Sequence, residues 1–312
     1  WCERRHHWTI DTDWIVPTGG IVPGICNLLE ALTPTDAQVI VQPPVYDPFY
    51  SVIKASGRRQ VENPLILDET GYHMDFAGLE ELCKAGASAL VLCSPHNPVC
   101  RVWRREELSR LAEICARYHV LVISDEIHWD LALGGREHTT MGQFPQLYEH
   151  MVVCISCSKS FNVAGLDTSN LIIPGEKIRQ TFRDYLFARY LFCPNTLGMV
   201  AAQAAYQGGE DWLDEALEYL TANAKAVQDF MAQSLPKVKV VEPEGTFLLW
   251  FDMRAYGLSS EELVKRIADA GAGLNAGSHY GAGYDGFVRM NIACPRRQLM
   301  AGLECVKRAL EG

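Results

Sequence analysis

Short β-branched or apolar runs alternate with longer helical patterns along this chain. That alternation limits the fold more than any other feature, because it specifies β-α units and a largely parallel sheet. Residues 38–42, 89–93, 120–124, 151–156 and 170–173 read as strands. Between them, residues 104–118 place Leu108, Leu111, Ala112 and Cys115 at i, i+3, i+4 and i+7, the stripe of an amphipathic helix. Glu106 and Glu107 fall in its first turn, where the helix dipole favours acids. A helix is expected to begin near Pro23 and another to cover 75–84. After Pro194 the pattern changes. Helical stretches at 196–207 and 211–234 lead into strand-like segments at 237–241 and 246–252, a helix at 259–270, a strand at 286–292 and a closing helix at 297–310. A chain of 312 residues, 48% hydrophobic, is long enough for two lobes. We expect a large α/β domain over 1–200 and a smaller α+β domain over 201–312. With no low-complexity linker near residue 200, a helix is expected to join them.

Charge and cysteine content narrow the partners. A formal net charge of -10 and no basic tail argue against nucleic acid, whose binding needs basic surface. Eleven cysteines without a regular framework, and no signal-peptide pattern, suit a reducing compartment, so a cytoplasmic location is expected. No apolar run approaches the ~20 residues that span a bilayer. The chain opens at Trp1 without an initiator methionine, which reads as the remainder of a longer protein.

The chemistry gathers around Lys159. An apolar run from Val152 ends at Ser156, Ser158 and this lysine, followed by small and apolar residues through Gly165. A lysine placed there is expected to be poorly solvated, which disfavours its charged form and makes the amine nucleophilic, as a Schiff-base lysine requires. Asp125 ends the run Leu121-Val-Ile-Ser124, so its carboxylate belongs at the carboxyl edge of a buried strand, where open α/β sheets bind ligands. There it can hold a heteroaromatic nitrogen protonated, or else serve as a helix cap or ion-pair partner. His128 follows three residues on. Asn97 sits in a proline-bounded turn, Ser94-Pro-His-Asn-Pro98, that aims its amide. Gly19, Gly20, Ile21 and Val22 precede a helical run, where unpaired N–H groups can cradle phosphate. Arg289, inside an apolar strand-like segment, needs an anion, either internal or a substrate carboxylate. Tyr46 can stack on a flat ring or simply pack.

Taken together and in order, Ser94-Pro-His-Asn-Pro-Val99, Ile123-Ser-Asp-Glu-Ile-His128, Ser158-Lys-Ser-Phe-Asn-Val-Ala-Gly165 and Gly286-Phe-Val-Arg-Met-Asn291 closely resemble the fold-type-I pyridoxal-phosphate enzymes. Within them the likeness is to the cystathionine β-lyase-like carbon–sulfur lyases of the class I/II aminotransferase family. The resemblance implies the aspartate aminotransferase fold, pyridoxal 5'-phosphate as cofactor and a homodimer in which both subunits build each site. It implies that Lys159 joins the cofactor and shuttles protons, that Asp125 pairs with the pyridine nitrogen and that Asn97 bonds the phenolic oxygen. His128 stands where many relatives carry a tyrosine near that oxygen. Tyr46 would stack on the ring, Gly20, Ile21, Val22, Ser156 and Ser158 would surround the phosphate, and Arg289 would hold the substrate α-carboxylate.

Three departures accompany the resemblance. Eight positions after the lysine, where many related aminotransferases carry a phosphate-binding arginine, stands Asp167. Cys100 replaces a glycine usual after the Asn-Pro turn. Relatives begin earlier, with a segment that supplies an active-site flap and a tyrosine reaching the neighbouring subunit's phosphate. The implied activity is β-elimination of a thiol from an L-cysteine-type amino acid, giving pyruvate and ammonia. Transamination is the alternative, and a cofactor-binding regulator acting by protein contact is a third reading. Two further motifs are set aside. Gly281-Ala-Gly-Tyr-Asp-Gly286 spells a dinucleotide fingerprint but precedes a strand, and Cys154-Ile-Ser-Cys157 has redox spacing inside a strand-like run. No metal site is expected, since His6 and His7 lack companions at a ligand spacing.

Overall fold

Thirteen strands and ten α-helices organise the computed structural model of the chain, which describes residues 1–192 and 195–311. The strands are β1 (Ile15–Thr18), β2 (Gln38–Val41), β3 (Arg59–Glu62), β4 (Ile66–Asp68), β5 (Gly71–His73), β6 (Ala89–Cys93), β7 (Leu121–Asp125), β8 (Met151–Ile155), β9 (Ser169–Ile172), β10 (Lys239–Val240), β11 (Leu248–Asp252), β12 (Asn275–Ala276) and β13 (Phe287–Asn291). The helices are α1 (Cys2–His6), α2 (Ile21–Leu32), α3 (Pro48–Ala55), α4 (Phe76–Lys84), α5 (Arg105–Arg117), α6 (Glu176–Ala188), α7 (Thr196–Gly208), α8 (Glu210–Ser234), α9 (Ser260–Asp269) and α10 (Arg296–Glu311).

The main sheet runs β1-β9-β8-β7-β6-β2-β3. β3, β2, β6, β7 and β8 are mutually parallel, as the β-α alternation requires. β9 runs antiparallel to both β8 and β1. Reversal at β9 follows from its connection, because a loop and a short 3₁₀ turn at Ala164–Leu166 join β8 to β9 where a parallel crossover needs a helix. β6, β7 and β8 are buried along their whole length, so both sheet faces are covered. On one face Val39, Val41, Ile123, Val152 and Leu171 pack with Ile25 and Leu28 of α2, Phe49 of α3 and Phe182 of α6. On the other, Leu90, Leu92, Val122 and Val153 meet Leu108 and Leu111 of α5. This second cluster continues through Trp103, Trp129 and Trp250 into a four-stranded sheet, β10-β11-β13-β12, antiparallel throughout. Position 200 lies within α7, and α8 follows after Gly209.

Among the described residues no helix is long and apolar enough to cross a membrane. The glycine motif ends in a turn that leads into β13, with no helix after it. Cys154 and Cys157 are buried free thiols, and the described residues hold no cluster of three or more potential metal ligands.

Candidate active site

β6, β7 and β8 end side by side, and the residues that follow them line a cavity of about 390 Å³. This is the carboxyl edge of the parallel strands, where helix and strand ends leave a crevice. β7 delivers Asp125 and His128, β6 delivers Asn97, and β8 delivers Ser156, Ser158 and Lys159. The start of α2 brings Gly20, Ile21 and Val22, Tyr46 enters from the segment before α3, and Arg289 reaches in from β13. All the residues singled out from the sequence therefore meet in one place. Phe247 and Leu248 also line it, at the entry to β11. They carry no polar signature, so only their position in space reveals them.

Asp125 is buried, and its Oδ1 accepts from the Ile127 N–H at 3.1 Å. Burial, with Glu126 adding to it, pushes the carboxyl up to about 7, against the pull of that N–H and of Lys159. His128, three residues on from Asp125, is buried edge-on to Phe247, with ring centroids 5.4 Å apart. Burial, then the charges of Lys159 and Arg289, lower its imidazole to about 3, so the ring is neutral at physiological pH. Its Nδ1 has no hydrogen-bond partner among the described residues.

Lys159 is half-buried rather than dry, because its amine opens onto the cavity. Among the described residues the amine has no hydrogen-bond or ion-pair partner. The loop that carries it is built by Ser156, whose Oγ donates to Thr168 O at 2.7 Å and accepts the Ser158 N–H at 3.0 Å. Arg289 is likewise half-buried. Its Nη1 donates to Asn97 Oδ1 at 3.1 Å and its Nη2 to Asn275 Oδ1 at 3.0 Å, while the guanidinium lies 5.0 Å from the Tyr280 ring centroid. No carboxylate among the described residues lies within ion-pair distance of it, and its Nε is unpartnered. The internal ion pair that would have explained Arg289 as a structural residue is absent among these residues. Tyr46 packs edge-on against Phe49, 5.7 Å between centroids, and burial and the nearby Asp125 raise its hydroxyl pKa.

At the opposite end, Gly20 precedes α2 with φ +115° and ψ 155°, a conformation open almost only to glycine. It makes no side-chain cap, which leaves the first N–H groups of α2, at Ile21 and Val22, to an outside acceptor. Asp167 also borders the cavity, and Lys159 and Arg289 supply its cationic side chains among the described residues. Cys100 adopts φ +63°, the left-handed region that favours glycine, and its Sγ donates to Leu248 O at 2.7 Å. The loop thus keeps a glycine-like conformation and ties the Asn97 turn to β11.

This donor set fits pyridoxal phosphate. A buried carboxyl without a cationic partner suits a protonated ring nitrogen, orphan helix N–H groups suit a phosphate, and a free amine stands at Lys159 on the same cavity.

Known proteins give the same picture. A family model described as aminotransferase class I and II matches residues 1–304. Cystathionine beta-lyase PatB of Bacillus subtilis is 39% identical over 99% of this chain and 81% of its own length. Among solved structures, pyridoxal 5'-phosphate-containing cystalysin from Treponema denticola superposes with TM-score 0.96 at 36% identity, over all of this chain and 80% of that one. The PLP-bound C-S lyase from Staphylococcus hominis gives TM-score 0.94 at 32% identity, over all of this chain and 80% of that one.

Proposed function

Because the chain belongs to the aminotransferase class I and II family, we propose that it is a pyridoxal-phosphate-dependent carbon–sulfur β-lyase. It would cleave an L-amino acid with sulfur on its β-carbon, such as cystathionine, to a thiol, pyruvate and ammonia with uptake of water. The observation that carries this reading is the convergence of Lys159, Asp125 and Arg289 on one cavity. When bound, pyridoxal phosphate withdraws electrons from the substrate α-carbon, which acidifies the α-proton and lets a β-thiolate depart.

The chain's own residues account for the rest. Arg289, without an internal counter-charge, receives the substrate α-carboxylate through its guanidinium fork. Lys159 Nζ, unanchored and open to the cavity, takes the α-proton as general base and passes it to the departing thiolate. Asp125 supplies the buried negative charge that holds a proton on the ring nitrogen. Asn97 and the neutral His128 address the phenolic oxygen, and Tyr46 covers the ring. The N–H groups of Ile21 and Val22, with Gly20, Ser156 and Ser158, hold the phosphate.

The proposal includes a cytoplasmic setting, supported by ten described cysteines that are all free thiols. It also includes a division into two domains near residue 200 and a homodimer. The dimer is supported by a strongly exposed apolar surface at Phe187, Tyr190, Leu197 and Val200.

The decisive experiment adds cystathionine to cofactor-loaded protein and assays free thiol and pyruvate, with a keto-acid acceptor in parallel. Thiol and pyruvate should appear without the acceptor, and Lys159→Ala should abolish both. Turnover that depends on the acceptor and releases no thiol would replace this reading with transamination.

A further inference from the structure

Asp130 is a buried carboxylate that the chemistry above leaves unused, and it joins the two loops on which that chemistry depends. Three donors converge on it. Trp1 Nε1 at 2.9 Å and His6 Nε2 at 2.8 Å bind Oδ1, and Ser160 Oγ binds Oδ2 at 2.5 Å. The carboxyl side chain is fully covered, and a polar group taken out of water needs such hydrogen bonds in its place.

On one side Asp130 belongs to the turn that carries Asp125 and His128. That turn is closed by the Trp129 N–H to Glu126 O at 2.9 Å and the Leu131 N–H to His128 O at 2.8 Å. The His6 ring lies flat on Trp129, with centroids 3.7 Å apart and planes within 10°, which seats α1 against this turn. On the other side Ser160 adjoins Lys159. Because the Lys159 amine has no partner of its own among the described residues, the path of its loop decides where Nζ lies. Ser156 fixes that loop before the lysine, and Ser160 fixes it after.

We propose that Asp130 is a positioning residue. Through Ser160 it locks the Lys159 loop against the Asp125–His128 turn, and through His6 and Trp1 it makes α1 part of that lock. This rests on the reading of Lys159 as the reacting amine.

The test compares the full-length wild type with Ser160→Ala, Ser160→Thr and Asp130→Asn. In cofactor-free protein, the rate at which an amine-reactive reagent labels Lys159, relative to the remote Lys54, is read by peptide mass spectrometry. In loaded protein, the pH midpoint of the visible cofactor band and the separate kcat and KM for cystathionine are read. Ser160→Ala should change the relative labelling several-fold and move the midpoint. It should also lower kcat about tenfold with little change in KM, as expected when a reacting group is slightly misplaced. Asp130→Asn should do the same, and Ser160→Thr, which restores the hydroxyl, should recover wild-type values. Wild-type labelling and midpoint in Ser160→Ala would overturn the proposal, whatever happens to its melting temperature. If the wild type itself forms no borohydride-trapped adduct at Lys159, the functional reading falls, while the labelling comparison still reports the loop's geometry.

Discussion

A carboxyl held near neutral pH inside the fold gives the site a measurable signature. Asp125 ionises at about 7 when folded, against an ordinary value of 3.8. Below the ordinary value both folded and unfolded chains hold this proton. Between about pH 4 and about pH 7 only the folded chain does, so the Asp125 contribution to stability falls as pH rises through that window. The full difference is on the order of 4 kcal/mol in cofactor-free protein. His128 works in the opposite sense. Its lowered value favours the fold above its ordinary 6.5, and that benefit is lost as pH falls towards about 3. A wild-type stability curve therefore mixes the two. Asp125→Asn separates them, because asparagine keeps the Ile127 hydrogen bond and cannot ionise. Urea unfolding of cofactor-free protein at pH 5 and pH 8 should show the variant gaining on the wild type at the higher pH. An equal difference at both values would mean that Asp125 is not desolvated. Bound cofactor should reverse the ranking, since a protonated ring nitrogen gives the wild-type carboxylate its missing partner.

At the scale of the element, the first turn of α2 ties the fold to the proposed cofactor. Gly20→Ala places a Cβ 3.5 Å from Pro23 Cδ, an ordinary contact, so its cost lies in the backbone conformation and amounts to about 1–3 kcal/mol. If the chain relaxes, the Ile21 and Val22 N–H groups turn away, and pyridoxal phosphate should dissociate about tenfold more readily. Equilibrium dialysis, together with melting of the cofactor-free protein, checks both parts. The paired glycine before a helical run and the Asn97 turn pointed to a site only in company with the other motifs, whereas Lys159 and Asp125 stood out because each follows or ends an apolar strand-like run. Other elements carried weaker signals. β1 contains Pro17, which suits an edge strand and hides the extended run. β3 is largely exposed and shows no apolar alternation. α6 does carry a helical stripe in Ile178, Phe182 and Leu186. The reversal of β9 follows from a connection without an α-helix and not from its composition. Arg289 reads in sequence as a cation inside an apolar strand, and only the fold shows that no carboxylate comes within ion-pair distance among the described residues.

Across the whole molecule, the exposed apolar surface lies close to the site. Phe187 is 68% exposed, Tyr190 84%, Leu197 70% and Val200 60%, while most residues of this size are buried in the two cores. The Phe187 and Phe192 rings stack at 5.2 Å, and Tyr190 lies 6.2 Å from Phe192, so the side chains at and just beyond the end of α6 form one patch. Monomeric proteins rarely leave such patches in water. Leu197 and Val200 stand on α7, and α7 packs on the wall of the cavity: a Cβ at Gly198 would come within 2.8 Å of Thr168 Cβ, and Thr168 lines the cavity. A second copy seated here would approach the phosphate end, where Asp167 stands beside the Gly19–Gly20 loop. The proposed homodimer and the proposed cofactor site are therefore coupled, and breaking one should weaken the other. Phe187→Glu combined with Tyr190→Glu puts two charges into the patch without touching a cavity residue. Sedimentation should then show monomers at concentrations where the wild type is dimeric, with melting of the cofactor-free protein little changed, and pyridoxal phosphate occupancy should fall as dimers are lost. A variant that sediments as a stable monomer with full cofactor occupancy would uncouple the two and remove the second subunit from the site.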